Sequence, residues 1–231
     1  MAEIEKRSFK PAEMMSPVPA VMVSCGDMEH SNIITIAWTG IVNSNPPYTY
    51  VSVRKSRYSH DMIAGSGEFV INLTTENLAR AVDYCGVKSG RDVDKFAETG
   101  LTKMACEKVA CPMIAESPIN LECKVFEIKE YPTHDMFLAE IVAVHVNEDL
   151  ISDDGKIDYM KAGLITYVHG EYVPLRKTSV GFFGYSVAKK KALKKRSKEE
   201  HDRRVKNNAA ERKQKKESGT FGKNLPQKTK R

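Results

Sequence analysis

Strand-like segments separated by glycine, proline and asparagine turns dominate residues 17–175 and restrict the fold more than any other feature. Short helical patterns lie at 59–64 and 74–86 and do not alternate regularly with the strands. A mainly β (α+β) fold with a closed antiparallel barrel is therefore favoured over a doubly wound sheet. The runs that predict strands, because they alternate in polarity or are rich in β-branched residues, are 19–25, 32–42, 48–54, 68–73, 119–131, 135–150 and 163–175.

Charge divides the chain into an acidic body and a basic extension. Residues 187–231 contain 18 Lys and Arg against 5 Asp and Glu, a net charge of +13, which leaves −7 for residues 1–186. The extension has helical propensity but no apolar face, a pattern typical of a solvated helix or a disordered segment. We therefore predict an N-terminal lead-in at 1–16, a folded domain at 17–186 and a basic C-terminal extension at 187–231.

Several classes of protein are disfavoured by what the sequence lacks. No run reaches the roughly 18 apolar residues of a membrane helix, and the N-terminus has no apolar segment of a secretory signal, so a cytoplasmic protein without membrane attachment is expected. The five cysteines form no C-x-x-C pair, which favours free thiols over disulfides or a metal site. Gly65-Ser66-Gly67 lacks the third glycine of a dinucleotide-binding loop, and no phosphate-binding loop or hydrolase motif is present.

The cationic end of the 48–54 strand is the most suggestive local feature. Arg54 leaves the strand on the same face as Ser52, and Arg57 follows before a short helix for which Ser59 is the predicted N-cap. Unpaired backbone N–H groups at a helix N-terminus, together with guanidinium and hydroxyl groups, suit a phosphate. A solvated turn with an ordinary cap explains the same residues, so both interpretations remain open from spacing.

Three single residues have an ordinary and a functional interpretation. Trp38, the only tryptophan, is expected in the core, although an indole can also flank an aromatic ligand. His134 follows a proline-containing turn, where a histidine usually faces solvent, and Lys95 would ordinarily be a surface lysine. Spacing does not decide among these alternatives.

Eight segments occur in an order that matches a known family. The chain resembles the flavin reductase-like, FMN-binding split-barrel proteins, and within them the flavoredoxin branch, over about Pro17 to Ser186. The matching segments are PVPAVMVSC, N-x-x-T-I-A-W-T-G, N-P-P-Y, S-V-R-K-S-R-Y-S, S-G-E-F-V-I-N, S-G-R-D-V-D-K-F, N-L-E-C-K-V and H-D-M-F-L-A-E-I-V. The basic extension matches nothing in the family.

The resemblance implies an antiparallel split β-barrel, usually a homodimer, with noncovalent FMN near the subunit interface. It places Ser52, Arg54, Arg57, Tyr58 and Ser59 at the phosphate. The other positions that it implies at the cofactor are Asn32, Thr35, Ala37, Trp38, Thr39, Asn72, Lys95, His134 and Tyr167. The resemblance also makes His134 a catalytic candidate, as a hydrogen-bond donor to the flavin or to the incoming reductant.

The function expected from this resemblance is electron transfer through FMN. In one form NAD(P)H reduces the bound flavin, which passes electrons to free flavin or another acceptor. In a second form the protein is an electron carrier that docks a redox partner protein without NAD(P)H turnover. A third alternative, from the basic extension, is binding of a nucleic acid or another polyanion.

Overall fold

The computed structural model of the protein describes residues 4–176, 178–191, 194–196, 198–199, 201–202 and 205. Two compact units divide the chain, Met1–Thr178 and Ser179–Arg231. The strands of the first unit are β1 (Val18–Pro19), β2 (Val21–Gly26), β3 (Ser31–Ile36), β4 (Thr39–Ser44), β5 (Pro47–Arg54), β6 (Glu68–Leu73), β7 (Lys103–Met104), β8 (Met113–Ile114), β9 (Ile119–Glu130), β10 (His134–Val146), β11 (Ile165–Val168) and β12 (Glu171–Pro174). Its α-helices are α1 (Tyr58–Ser66), α2 (Ala79–Val87) and α3 (Lys95–Thr99), with 3-10 turns at Glu76–Leu78 and Glu148–Leu150.

A seven-stranded antiparallel sheet with the order β3-β2-β6-β9-β10-β5-β4 forms the framework. Its two edge strands, β3 and β4, are consecutive in the chain and are joined by Ala37 and Trp38. The sheet wraps around one apolar core that includes Val23, Ile34, Val51, Phe69 and Phe137. Since β3 and β4 are not hydrogen-bonded to each other, the barrel is open along a split between its edges.

A second apolar layer explains why Val21 to Cys25 of β2 are all buried. Alternate residues of β2 face opposite sides of the sheet, so Val21 and Val23 enter the barrel core whereas Met22 packs in another cluster. In that cluster Met22 meets Ile33 of β3 and Val82 of α2. Helix α2 therefore covers the outer face of β2 and β3, beside the split.

The structure confirms most strands expected from the sequence but corrects two elements. The predicted strand 32–42 is two strands, because the chain turns at Ala37–Trp38. The prediction that Ser59 caps a helix is wrong, since Arg57 occupies the N-cap position and α1 begins at Tyr58. Gly67, with φ at 68°, ends α1.

The predicted helix over 74–86 is divided between the 3-10 turn Glu76–Leu78 and α2. The strand or hairpin expected at 163–175 is the β11–β12 hairpin, which pairs with β1 in a separate three-stranded sheet. All five cysteines are free thiols, and four of them are buried.

The second unit contains a 3-10 turn at Tyr185–Val187 and, beyond it, helical residues at the described positions between 190 and 205. Within it Glu199 pairs with Lys195 at 3.9 Å and with Arg196 at 3.7 Å, which is helical spacing. The expectation of a helical or disordered extension beyond 205 lies outside the described residues. In the described parts of both units, no helix combines the length and the apolar character needed to cross a membrane.

Candidate functional site

Two adjoining cavities lie at the split of the barrel. The larger cavity, of about 480 Å³, is bounded by β3, the Ala37–Trp38 turn, the end of β5 and the β11–β12 hairpin. The polar cavity, of about 360 Å³, lies between β3, the start of α1 and the loop after α2. Because Ile34, Arg54, Arg57 and Gly86 line both, the two form one continuous site.

The strand break between β3 and β4 accounts for the opening of the larger cavity. At this break the Trp38 carbonyl accepts a hydrogen bond from the Ser52 backbone N–H at 2.9 Å, which fixes the turn against β5. The indole stays 41% exposed and its ring centroid lies 4.5 Å from that of His134. His134 is opposite Arg54 in the β10–β5 register, so strand ends bring an indole, an imidazole and a guanidinium around one cavity.

The polar cavity has an excess of positive charge. Arg54, Arg57, Lys88 and Lys95 line it, and no Asp or Glu is among its lining residues. Among the described residues, no carboxylate forms an ion pair with any of these four cations. Helix α1 begins in this wall, and the positive end of its dipole adds partial positive charge. Such a cavity suits a phosphate or another polyatomic anion.

Lys95 is the most constrained of these cations. Its side chain is only 4% exposed, and its Nζ donates to the carbonyls of Ile33 and Cys85, both at 2.7 Å. An ammonium has three N–H donors, so one is left toward the cavity among the described residues. Burial lowers the pKa of Lys95, and the nearby Arg57 guanidinium adds to that effect. An anion in the cavity would offset both influences.

Close packing on the other side of the polar cavity positions Asn32. Its amide donates to the Ser59 hydroxyl at 2.8 Å, which joins β3 to the first turn of α1. A Cβ on Gly90 would lie 2.2 Å from the Asn32 side-chain oxygen. The loop after α2 can therefore approach β3 this closely only with glycine at position 90.

His134 is a neutral hydrogen-bonding group near pH 7. Burial lowers its pKa, and the neighbouring Arg54 guanidinium lowers it further. Nδ1 is 2.9 Å from the Thr133 hydroxyl. Nε2 has no partner among the described residues, so it can donate to, or accept from, a molecule in the larger cavity.

The structure brings most of the predicted site residues together. Those that line at least one of the two cavities are Asn32, Thr35, Ala37, Trp38, Ser52, Arg54, Arg57, Tyr58, Ser59, Lys95, His134 and Tyr167. The Thr35 hydroxyl donates to the Val82 carbonyl, which ties β3 to α2.

Thr39 and Asn72 line neither cavity. The Thr39 hydroxyl donates to the Tyr50 carbonyl at 2.6 Å, between paired strands. Asn72 is fully buried and hydrogen-bonded through both side-chain atoms, for example to the Met22 carbonyl and the Ile114 N–H. Its contacts are those of a structural residue of the core.

Sequence reasoning missed the wall formed by α2 and its following loop. Asp83, Gly86 and Val87 line the larger cavity, as does Tyr172 of β12, and Lys88 lines the polar cavity. The closely spaced glycines of YCGVKSG were the available signal. Gly86 lies within α2, where a Cβ would meet Thr35 at 3.3 Å.

Comparison with solved structures identifies proteins of the same fold. The flavoredoxin of Desulfovibrio vulgaris (Miyazaki F) is 32% identical with a TM-score of 0.73, over 79% of this chain and 100% of that chain. The flavoredoxin from Methanosarcina acetivorans is 30% identical with a TM-score of 0.73, over 80% of this chain and 100% of that chain. The predicted antiparallel split β-barrel is thereby confirmed.

Sequence comparison agrees with the structural one. An uncharacterized protein of Archaeoglobus fulgidus is 33% identical over 146 residues, which are 63% of this chain and 81% of that relative. The family described as flavin reductase like domain matches residues 14–176, which include every residue that lines the two cavities. The resemblance seen in the sequence is thus confirmed, and the chain belongs to the flavin reductase like domain family.

Proposed function

We propose that the protein binds FMN noncovalently and acts in electron transfer. The observation that carries the proposal is the polar cavity, in which four cations lack carboxylate partners among the described residues, continuous with a larger cavity beside an exposed indole. A ligand that joins a flat ring system to a phosphate matches this combination of a larger cavity beside an indole and a cationic cavity. Riboflavin lacks the phosphate and would leave the cations uncompensated.

The residues present fit such a ligand. Arg54, Arg57 and Lys95 would hold the phosphate, with charge-assisted hydrogen bonds of roughly 1.5–3 kcal/mol each before desolvation. Trp38 and Tyr167 offer aromatic surface to the ring. The Ser59 hydroxyl lines the polar cavity and accepts from the Asn32 amide.

When bound, a flavin supplies the hydride and electron chemistry, and the protein supplies binding, orientation and electrostatics. His134 is then proposed to donate a hydrogen bond from Nε2 in the larger cavity. We propose NAD(P)H as the reductant and free flavin or another acceptor as the oxidant. The alternative is a carrier that exchanges electrons with a protein partner.

Binding of FMN and riboflavin by Arg57→Ala tests the cofactor assignment. We expect the purified protein to be yellow and to release FMN on denaturation. The substitution should raise the FMN dissociation constant by about 10- to 100-fold, the equivalent of one charge-assisted bond, and the riboflavin constant by less than about threefold. Arg80→Ala, an exposed change on α2 outside both cavities, is the matched control. Equal losses for both flavins would refute the phosphate assignment.

Steady-state oxidation of NADH and NADPH, with and without added FMN, separates the two electron-transfer roles. Turnover with either nucleotide supports the reductase. Absence of turnover in a preparation that holds FMN would sink the reductase and leave the carrier, which is then assayed with reduced flavin and a protein acceptor.

Exposed apolar residues on the sheet support a homodimer as part of this proposal. Ile41 is 70% exposed and Val42 53% on β4, and Phe126 is 52% exposed on β9, beside the Tyr48 ring. Exposed apolar surface of this kind is typical of a protein interface. Light scattering should give twice the chain mass of 25.9 kDa, and Phe126→Glu should lower it toward the monomer.

A further inference from the structure

A third cavity, of about 450 Å³, lies beyond the larger cavity and is not used by the proposed FMN site. The two cavities share one wall, formed by Ala37, Trp38, Tyr167 and Gly170. The opposite wall is the N-terminal segment 12–16, with Val18 and His169 at the sides. We call this space the N-terminal cavity. Trp38 therefore lines both the larger cavity and the N-terminal cavity.

Aromatic and thioether groups supply its binding surface. Trp38 and Tyr167 line it, and the negative potential of aromatic ring faces attracts flat rings and cations. Met14 and Met15 are 62% and 81% exposed, and their flexible thioethers can adapt to a flat molecule. His169 adopts a positive φ of 44° in the β11–β12 turn, a conformation that few residues other than glycine adopt. The surface thus favours aromatic ligands.

Its charge is opposite to that of the polar cavity. Glu13 is the only Asp or Glu among the residues that line the N-terminal cavity, and no Lys or Arg is among them. A phosphate or carboxylate placed there would find no cation to neutralise it. A positively charged ring would meet both the Glu13 carboxylate and the aromatic faces.

We propose that the N-terminal cavity is a second binding site, specific for a flat aromatic cation of the pyridinium type. This inference goes beyond the proposed function, because neither Glu13 nor the 12–16 segment lines the two FMN cavities. The indole of Trp38 then contributes to both sites. A ligand that carries a pyrophosphate would have to keep that group outside the N-terminal cavity.

Three small molecules with the same ring test the charge selectivity. The probes are 1-methylnicotinamide, nicotinamide and nicotinate, which carry a positive, zero and negative charge. Equilibrium dialysis at pH 8, above the range in which unperturbed histidines titrate, gives each dissociation constant. We expect the cation to bind at least about tenfold more tightly than the anion, with the neutral amide between them. Equal affinities, or tighter binding of nicotinate, would overturn the proposal.

Substitution of Glu13 locates the site. Glu13→Gln should weaken binding of 1-methylnicotinamide by about three- to tenfold and leave nicotinamide within twofold, and Glu13→Lys should reverse the preference toward nicotinate. Glu5→Gln removes the same charge from the same terminal segment outside the cavity and should change nothing. If Glu13→Gln and Glu5→Gln behave alike, the binding lies elsewhere and the proposal fails.

The measurement is made on the full chain with and without saturating FMN, and Trp38 fluorescence reports occupation because it is the only tryptophan. Bound FMN blocks entry of the probes into the larger cavity, but the Glu13 comparison is valid in either state. If the protein binds no FMN but shows the expected order of affinities for the three probes, and that order depends on Glu13, only the proposed function is refuted. If the protein binds FMN but does not show this order of probe affinities, only the second site is refuted.

Discussion

Lys95 keeps an ammonium in a position that is 96% shielded from solvent, without a carboxylate partner among the described residues. An isolated buried charge is costly unless hydrogen bonds or an opposite charge compensate it. The carbonyls of Ile33 and Cys85 compensate it in part. The remaining cost is the physical reason for expecting an anion beside it.

The pH dependence of FMN affinity should report on Lys95. Because its pKa is lowered, Lys95 loses its proton below the usual lysine range, and a bound phosphate favours the protonated form. We therefore expect the FMN dissociation constant to increase as pH rises through that lowered pKa, by up to about tenfold per pH unit for one proton. Titrations from pH 7 to 10 measure it.

Riboflavin is the control in the same titrations, because it shares the ring and its ionisation but has no phosphate. The pH dependence of its dissociation constant should reflect ionisation of the ring alone. The ratio of the FMN constant to the riboflavin constant therefore measures the contribution of the phosphate. A ratio that stays constant over the whole range would contradict a role for Lys95 at the phosphate.

Gly90→Ala should weaken FMN binding by disturbing Asn32. The added methyl would lie 2.2 Å from the Asn32 side-chain oxygen, so either that amide or the loop after α2 must move. We expect a loss of about 1–3 kcal/mol in the free energy of unfolding and weaker FMN binding. Urea denaturation and fluorescence titration measure the two effects.

Gly65→Ala is the matched control. Gly65 lies inside α1, and a Cβ there would meet nothing within 4 Å. It should stabilise the protein by about 0.5–1 kcal/mol and leave FMN binding unchanged. If Gly90→Ala behaves in the same way, the close approach to Asn32 is not required.

At the scale of elements, the sequence predicted the strands well, because alternation and β-branching are local. It did not predict the break at Ala37–Trp38, since the residues around it are as strand-like as those of β3. The break depends on β5, whose Ser52 N–H takes the Trp38 carbonyl as its acceptor. A partner distant in sequence thus decides where the strand ends and leaves the indole exposed.

Polar residues on the strands of the site also show that local sequence does not reveal partners distant in the chain. Asn32 and Asn72 are both buried strand asparagines. Asn32 lines the polar cavity, whereas the Asn72 amide is occupied by groups of the core such as the Ser24 hydroxyl. Which neighbours an asparagine meets depends on sheet order, which spacing along the chain does not contain. The resemblance to the family placed both at the cofactor.

Glu122 on β9 fixes the loop between β7 and β8. Its carboxylate is fully buried and accepts from the backbone N–H groups of Glu107, Lys108 and Val109 and from His145. Burial raises its pKa, but the Glu107 N–H, His145 and the other donors outweigh that effect and the net pKa is lowered. The loop conformation therefore depends on an ionised side chain.

Glu122→Gln should destabilise the protein by about 2–4 kcal/mol at pH 7. The NH2 group of the glutamine amide would face N–H donors that now bind a carboxylate oxygen. A carboxyl group whose folded pKa is lowered stabilises above its unfolded pKa and loses that contribution as pH falls through the folded value. The difference in the free energy of unfolding between wild type and Glu122→Gln should thus be smaller at low pH. Urea denaturation at pH 7 and pH 4 measures it, with the exposed Glu127→Gln as control. A difference independent of pH would contradict the ionised anchor.

At the scale of the whole molecule, charge is distributed unevenly along the chain. Residues 187–231 carry +13, and residues 1–186 carry −7. The flavoredoxins named above are covered along their full length by 79% and 80% of this chain. We propose that the extension makes a separate interaction, because its net charge suits a nucleic acid or another polyanion.

Truncation after Ser186 tests that interaction. If roughly six to ten cations of the extension contact phosphates, affinity for duplex DNA should fall about 10³- to 10⁵-fold between 50 and 200 mM salt. The truncated protein should lose this binding, because it loses the net charge of +13. Unchanged FMN content would show that the barrel remains folded. Aromatic stacking should add little, since Phe221 is the only phenylalanine, tyrosine or tryptophan after Val187. If full-length and truncated proteins bind DNA equally at low salt, the extension is not a polyanion-binding segment.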